Sequence, residues 1–235
     1  MLRRIVLPFL LTLTVLAGVS ALFCHLSQTK AETVAPVGVR TVVIDAGHGG
    51  EDGGTVSADG TPEKDLNLDI AFRLRDLLTA DGIPVVMTRT EDKLLYDPDA
   101  DYRGRKKSLD LAARREIAEN TENCLFVSIH MNAYPDPRYS GLQVWYSPND
   151  PASGPLAAAV QSSARSLLQP DNDRKIKPAT SSIYLLHRLR VPAVLVECGF
   201  LSNPEEAARL ATPGYRAEVA FAVFLGLREA MGAGA

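Results

Sequence analysis

Three stretches of this chain are apolar without alternation: residues 41–46 (TVVIDA), 124–129 (CLFVSI) and 193–197 (AVLVE). A strand with one face in water alternates apolar and polar side chains. A run that does not alternate has to be covered on both faces, the condition of strands in parallel sheets. Helical patterns separate the runs, as crossovers between parallel strands require. The expected fold is therefore α/β, a three-layer sandwich with a mostly parallel central sheet flanked by helices.

The intervening segments fill in this outline. Residues 63–80 carry Leu66, Ile70, Leu74, Leu77 and Leu78 at helical spacing, and Asp81-Gly82 supplies a C-terminal stop. Residues 83–88 read as a second strand and 89–104 as a polar loop. Ser108 is expected to cap a helix reaching about Asn120. Residues 141–146 read as a strand, 155–168 as a helix and 183–186 as a short strand. Asn203-Pro204-Glu205-Glu206 combines a capping residue, a proline at the first helical position and first-turn acids. Residues 213–231 form a closing helix. Residues 47–60 hold six glycines, but without Gly-Lys-Ser/Thr or a direct run into a helix they are not a phosphate loop.

The first 40 residues differ from the rest. Arg3 and Arg4 precede 20 uncharged residues, 5–24, enough to span a bilayer as a helix. Residues 1–26 are expected to be a signal peptide or an N-terminal membrane anchor, the length of the run favouring the anchor. Residues 27–39 read as a linker and 40–235 as one folded domain, exported either way. The net charge is −3; residues 1–40 hold +3 of it, which leaves −6 on the body. An acidic body with 6% aromatics and one tryptophan, Trp145, is unsuited to nucleic acid. Three scattered cysteines do not make a disulfide framework.

Two of the four histidines share a context. His48 follows the 41–46 run and His130 follows the 124–129 run. In an open α/β sheet the carboxyl ends of the strands form the ligand crevice, so both imidazoles are expected at one edge, where they suit a metal. A catalytic zinc takes a third protein ligand and keeps one position open. Glu51 forms His-x-x-Glu with His48, as in zinc carboxypeptidases. Glu63 opens a helix and would point back to the sheet edge; it would equally serve the helix dipole. Residue types and spacing leave these readings open. Glu197 ends an otherwise apolar strand, a costly place for a carboxylate unless it is paired or functional. At the same edge it would serve as general base. Cys198, next to it, is expected to point the other way.

These residues resemble a known family. Asp45-Ala46-Gly47-His48-Gly49-Gly50, Glu63-Lys64 with Leu66, Ser128-Ile129-His130-Met131-Asn132-Ala133 and Glu197-Cys198-Gly199-Phe200-Leu201-Ser202-Asn203 resemble, in order, the four motifs of the zinc-dependent N-acetylmuramoyl-L-alanine amidases. The resemblance implies Zn²⁺ on His48, Glu63 and His130, with Glu197 catalytic, and so favours Glu63 over Glu51. Ala46 stands where the family usually has proline, and His187 matches no ligand. Some members carry a plug helix over the zinc after the strand equivalent to 141–146; here only residues 147–153 intervene, which leaves no room for one. The single catalytic domain is similar to the spore-cortex amidases, which trim peptides from muramic acid so that muramic lactam can form. The implied substrate is peptidoglycan, cut between the lactyl group of N-acetylmuramic acid and L-alanine, with a membrane contact through the N-terminal segment and an activating protein as a candidate partner. The alternatives are a zinc carboxypeptidase using Glu51 and a non-catalytic wall-binding protein.

Overall fold

The structure, a computed structural model, describes residues 41–97 and 103–232. The proposed leader and linker lie outside the described residues, as does the middle of the 89–104 loop. Among the described residues no helix is long and apolar enough to cross a membrane.

Six strands form one sheet in the order β2-β1-β3-β6-β4-β5: β1 (Thr41–Ala46), β2 (Val85–Met87), β3 (Cys124–Asn132), β4 (Gln143–Tyr146), β5 (Lys177–Pro178) and β6 (Ala193–Phe200). The neighbours β2-β1-β3-β6 are parallel, β4 runs antiparallel to β6, and β5 is parallel to β4. The non-alternating runs are the three central strands, covered on both sides. One face of the sheet packs under α1 (Glu63–Ala80), α3 (Ser153–Leu167) and α6 (Pro213–Ala230). Ile44, Ile129 and Val196 join Ile70, Leu74, Val160 and Val223 in that core, all fully buried. The opposite face is thinner. It holds a smaller core of Val43, Phe126 and Leu195 beneath α2 (Lys106–Glu119) and α4 (Tyr184–Arg188). The short helix α5 (Pro204–Leu210) follows β6.

Helix ends mostly follow the sequence signals. Asp81 and Gly82 close α1 through bonds to the Leu77 and Thr79 carbonyls at 3.1 and 3.0 Å. The Asn203 side chain accepts from the Glu205 and Glu206 N–H groups at 3.0 Å, with proline in the first turn. Two expectations fail. α2 starts at Lys106, with Arg105 at the cap position and no side-chain cap, so Ser108 lies inside the first turn. Residues 183–186 are not a strand; α4 occupies Tyr184–Arg188. Leu185, Leu186 and Leu189 are all buried there. One turn of helix places positions i, i+1 and i+4 on a common apolar surface, whereas a strand would send Leu185 and Leu186 to opposite faces. Two elements run longer than expected: β3 continues to Asn132 and β6 to Phe200.

Candidate metal centre

The parallel strands end together at one edge of the sheet, and near that edge the side chains on the thin face become ionisable. Alternation along β1 and β3 puts Asp45, Ser128 and His130 on the face of Val43 and Phe126. Glu197 follows Leu195 on β6, paired in register with His130. His48 stands just past β1 and Glu63 opens α1. His48, Glu63 and His130 each offer one ligand atom within 4.8 Å of the others. Glu63 Oε1 lies 3.0 Å from His130 Nδ1 and 3.4 Å from His48 Nε2. The two imidazoles meet edge to face, with ring centres 5.0 Å apart.

Glu63 is held by backbone donors. Its Oε1 accepts from the Met131 N–H at 2.9 Å and its Oε2 from the Thr55 N–H at 2.9 Å. Asn67 Nδ2 adds a contact at 3.3 Å. Burial works against ionising Glu63, but the bonds and charges of His130 and His48 outweigh it and hold the carboxyl far below the usual range. For His48, burial opposes protonation, yet Glu63 and Asp52 raise its pKa overall. Asp52 Oδ1 lies 2.9 Å from His48 Nδ1, although the ring N–H is not aligned for a hydrogen bond.

Two glycines make the convergence sterically possible. A Cβ on Gly47 would fall 2.3 Å from the His130 ring, and one on Gly54 would fall 2.6 Å from Glu63 Oε2. His48 has φ +62°, an uncommon conformation for a residue with a side chain, and it is braced from below. The Arg114 guanidinium donates to the carbonyls of Ala46 and His48 at 2.8 and 2.7 Å, and to Asp45 and Asp110 at 2.7 and 2.8 Å. The Arg89 side chain donates to the carbonyls of Ala46, Gly47 and Lys64 at 2.8, 3.0 and 2.8 Å. Both arginines are 1–2% exposed. Asp45 is fully buried, which disfavours its charge, but Arg114 and the Ser128 hydroxyl keep it ionised, below the usual range. Neither arginine stood out in the sequence. The readable signal was the buried stripe Asp110, Arg114, Ala118 on α2, where two opposite charges four residues apart face inward.

Glu197 is the outlier among the carboxylates. Burial pushes its pKa up, and the Glu63 carboxylate adds to the rise while His130 and His48 oppose it; the result is about 7. Its Oε2 is buried with no partner among the described residues. Glu197, His48 and His130 line one hollow of about 230 Å³, walled also by Asp52, Lys107 and Tyr184.

Of the residues singled out from sequence, His48, Glu63, His130 and Glu197 are brought together. Glu51 is not: it is exposed and pairs with Lys106 at 2.9 Å. Cys198 faces the opposite, apolar core, where burial raises its thiol pKa. His187 sits on α4, exposed and outside the cluster. Residues 147–152 alone join β4 to α3, so no plug follows β4. The described part of the 89–104 loop does not wall the hollow but braces the glycine loop, with Asp92 accepting from the Gly50 N–H at 2.7 Å.

The family model described as N-acetylmuramoyl-L-alanine amidase matches residues 42–229. The germination-specific N-acetylmuramoyl-L-alanine amidase of Bacillus subtilis is 37% identical over 192 residues, 82% of this chain and 80% of that protein. Among solved structures, the CwlD amidase of Clostridioides difficile, determined in complex with the GerS lipoprotein, is 36% identical. It superposes with a TM-score of 0.78 over 83% of this chain and 99% of that one. AmiC2 of Nostoc punctiforme, an N-acetylmuramoyl-L-alanine amidase, is 31% identical with a TM-score of 0.68, over 80% of this chain and 95% of that one.

Proposed function

Because the chain belongs to the N-acetylmuramoyl-L-alanine amidase family, we propose that it is a zinc-dependent, exported peptidoglycan hydrolase. It cuts the amide between the lactyl group of N-acetylmuramic acid and the L-alanine that begins the stem peptide. The observation that carries this reading is the convergence of His48, Glu63 and His130 beside an unpartnered, buried Glu197. Two imidazole nitrogens and a carboxylate oxygen are a donor set that suits zinc with a position left open. His48, Glu63 and His130 would hold the ion, which when bound acidifies a water and polarises the scissile carbonyl.

The remaining work falls to side chains. Glu197 accepts the proton of the attacking water and returns it to the leaving amine; in the metal-free site its burial raises the pKa to about 7. Asp52 lies beside Nδ1, while Nε2 on the other side of the His48 ring faces Glu63 and the centre. Arg114 and Arg89 hold the 46–48 backbone, and with it His48.

Similarity to the Bacillus subtilis germination-specific enzyme supports a place in spore-cortex maturation. The CwlD–GerS complex supports a protein activator for this chain as well, and the apolar leader supports tethering at the outer face of the membrane. The carboxypeptidase alternative is disfavoured by the ion pair of Glu51 with Lys106. The test is mass spectrometry of the products from purified peptidoglycan, with and without chelator. Whole stem peptides beginning with L-alanine, lost on chelation, are expected. Single terminal residues, or release that survives chelation, would overturn the reading. With no plug present, a zinc-binding hydroxamate should bind the zinc-loaded chain without any partner.

A further inference from the structure

Beyond Glu197 the polar face of the sheet continues. Gln143 pairs with Glu197 in the β4–β6 register, on the same face. On the other side a bulge sets two residues of β3 against three of β6: His130 lies opposite Glu197, and Asn132 opposite Phe200. The extra residue turns Phe200 onto the face of His130 and Glu197. Arg174 bridges these positions. Its Nη1 donates to Gln143 Oε1 at 3.2 Å, its Nε donates to the Ser140 carbonyl, and its guanidinium lies 4.5 Å from the Phe200 ring centre and 5.8 Å from that of Tyr139. Tyr139 packs on Tyr134 with ring centres 4.4 Å apart. The Tyr134 N–H donates to Ser202 Oγ at 2.9 Å, four residues after the ligand His130. Phe200 is buried, whereas Tyr134 and Tyr139 are 49% and 44% exposed. An open hollow of about 510 Å³ lies against Tyr139 and Arg174.

We propose that Tyr134, Tyr139 and Arg174 form a shelf that binds a sugar ring of the glycan strand; this rests on the amidase reading above. Tyr134 and Tyr139 pack on each other while half exposed, an aromatic surface that the core does not use. The electron-rich face of a tyrosine complements the C–H face of a pyranose, and the phenol and guanidinium meet its hydroxyl and acetamido groups at the rim. The scissile amide joins a sugar to a peptide, and Glu197, which lines the 230 Å³ hollow, is connected to the shelf through its strand partner Gln143 and Arg174. The 230 Å³ hollow is lined by charges of both signs, Lys107 and Arg114 with Asp45, Asp52, Asp110 and Glu197, and is left to the peptide. The aromatic shelf is suited to the sugar.

The test measures binding rather than turnover. The probes are a peptide-free tetrasaccharide of alternating N-acetylglucosamine and N-acetylmuramic acid and, separately, the free stem peptide, titrated calorimetrically against the zinc-loaded full chain. The Tyr134→Ala/Tyr139→Ala double variant should weaken tetrasaccharide binding by roughly tenfold and leave peptide binding and the unfolding midpoint unchanged. Tyr139→Phe should retain most of the affinity. No tetrasaccharide binding to the wild type, equal binding to the double variant, or a loss confined to the stem peptide would each overturn the shelf. If the tyrosines are needed for sugar binding but the wild type releases no stem peptide, the shelf stands and the amidase reading falls.

Discussion

The two faces of the central sheet are made by the same strands and do opposite things. On β1, β3 and β6 the residues Ile44, Ala46, Ile129 and Val196 enter a dry core under three helices. Their sequence neighbours Asp45, Ser128, His130 and Glu197 enter a charged layer under two shorter helices. The apolar face is held by area removed from water and tolerates any side chain of fitting volume. The polar face is held by direction: each buried charge has assigned partners, and Glu197, which lacks them, stands at the place where chemistry is proposed. One face stabilises the frame, and the other spends that stability on a site.

The largest expected effect that sharpens this contrast is on turnover. Glu197→Gln keeps shape but removes the base, so stem-peptide release should fall by ~10²–10⁴-fold while bound zinc, measured by atomic emission, is retained. A fall of only a few-fold with zinc intact would remove Glu197 from the mechanism. Next is the metal. Glu63→Ala should weaken zinc binding in chelator competition by more than the ~10–100-fold typical of a lost outer partner, while Glu51→Ala leaves it unchanged. Equal retention in both variants would break the ligand assignment.

The arginine clamp separates the faces directly. Arg114→Met strands the buried Asp45 and Asp110 carboxylates and should cost about 3–5 kcal/mol in urea unfolding, with a drop in zinc affinity as His48 loses its brace. Ile129→Ala on the apolar face should cost about 2–5 kcal/mol yet leave zinc affinity within error. A clamp variant that weakens stability but not zinc binding would confine Arg114 to the frame.

A smaller effect is expected from pH. The Glu197 pKa is raised from its ordinary 4.5 to about 7, so the folded protein holds a proton that the unfolded chain releases. Stability of the metal-free protein is therefore lost as pH rises from about 4.5 to about 7, by about 3 kcal/mol at most. Metal-free Glu197→Gln should match the wild type near pH 4 and exceed it at pH 8. His48, whose pKa is also raised, adds to the loss in both proteins. Wild-type and variant curves that run parallel would show Glu197 to be well solvated.

Much of this was determined by sequence alone, and for local reasons. A run of β-branched residues without alternation has to be a strand buried on both faces, so the three central strands and the crevice at their carboxyl ends were readable, along with the places of His48, His130 and Glu197. The Asn203-Pro204 start of α5 was readable because capping is satisfied within a few residues. Tertiary structure decided what depends on partners distant in the chain. Glu63 and not Glu51 reaches the histidines, because the Met131 and Thr55 N–H groups turn the Glu63 carboxylate inward while Lys106 holds Glu51 outward. Residues 184–188 became helix instead of strand because three leucines had one core to share. The arginines beneath His48 and the bulge that turns Phe200 toward the site involve pairings across 40 to 70 residues of chain. Such pairings come from packing once the strands are in register, and beyond the Asp110–Arg114 spacing on α2 no local periodicity encodes them.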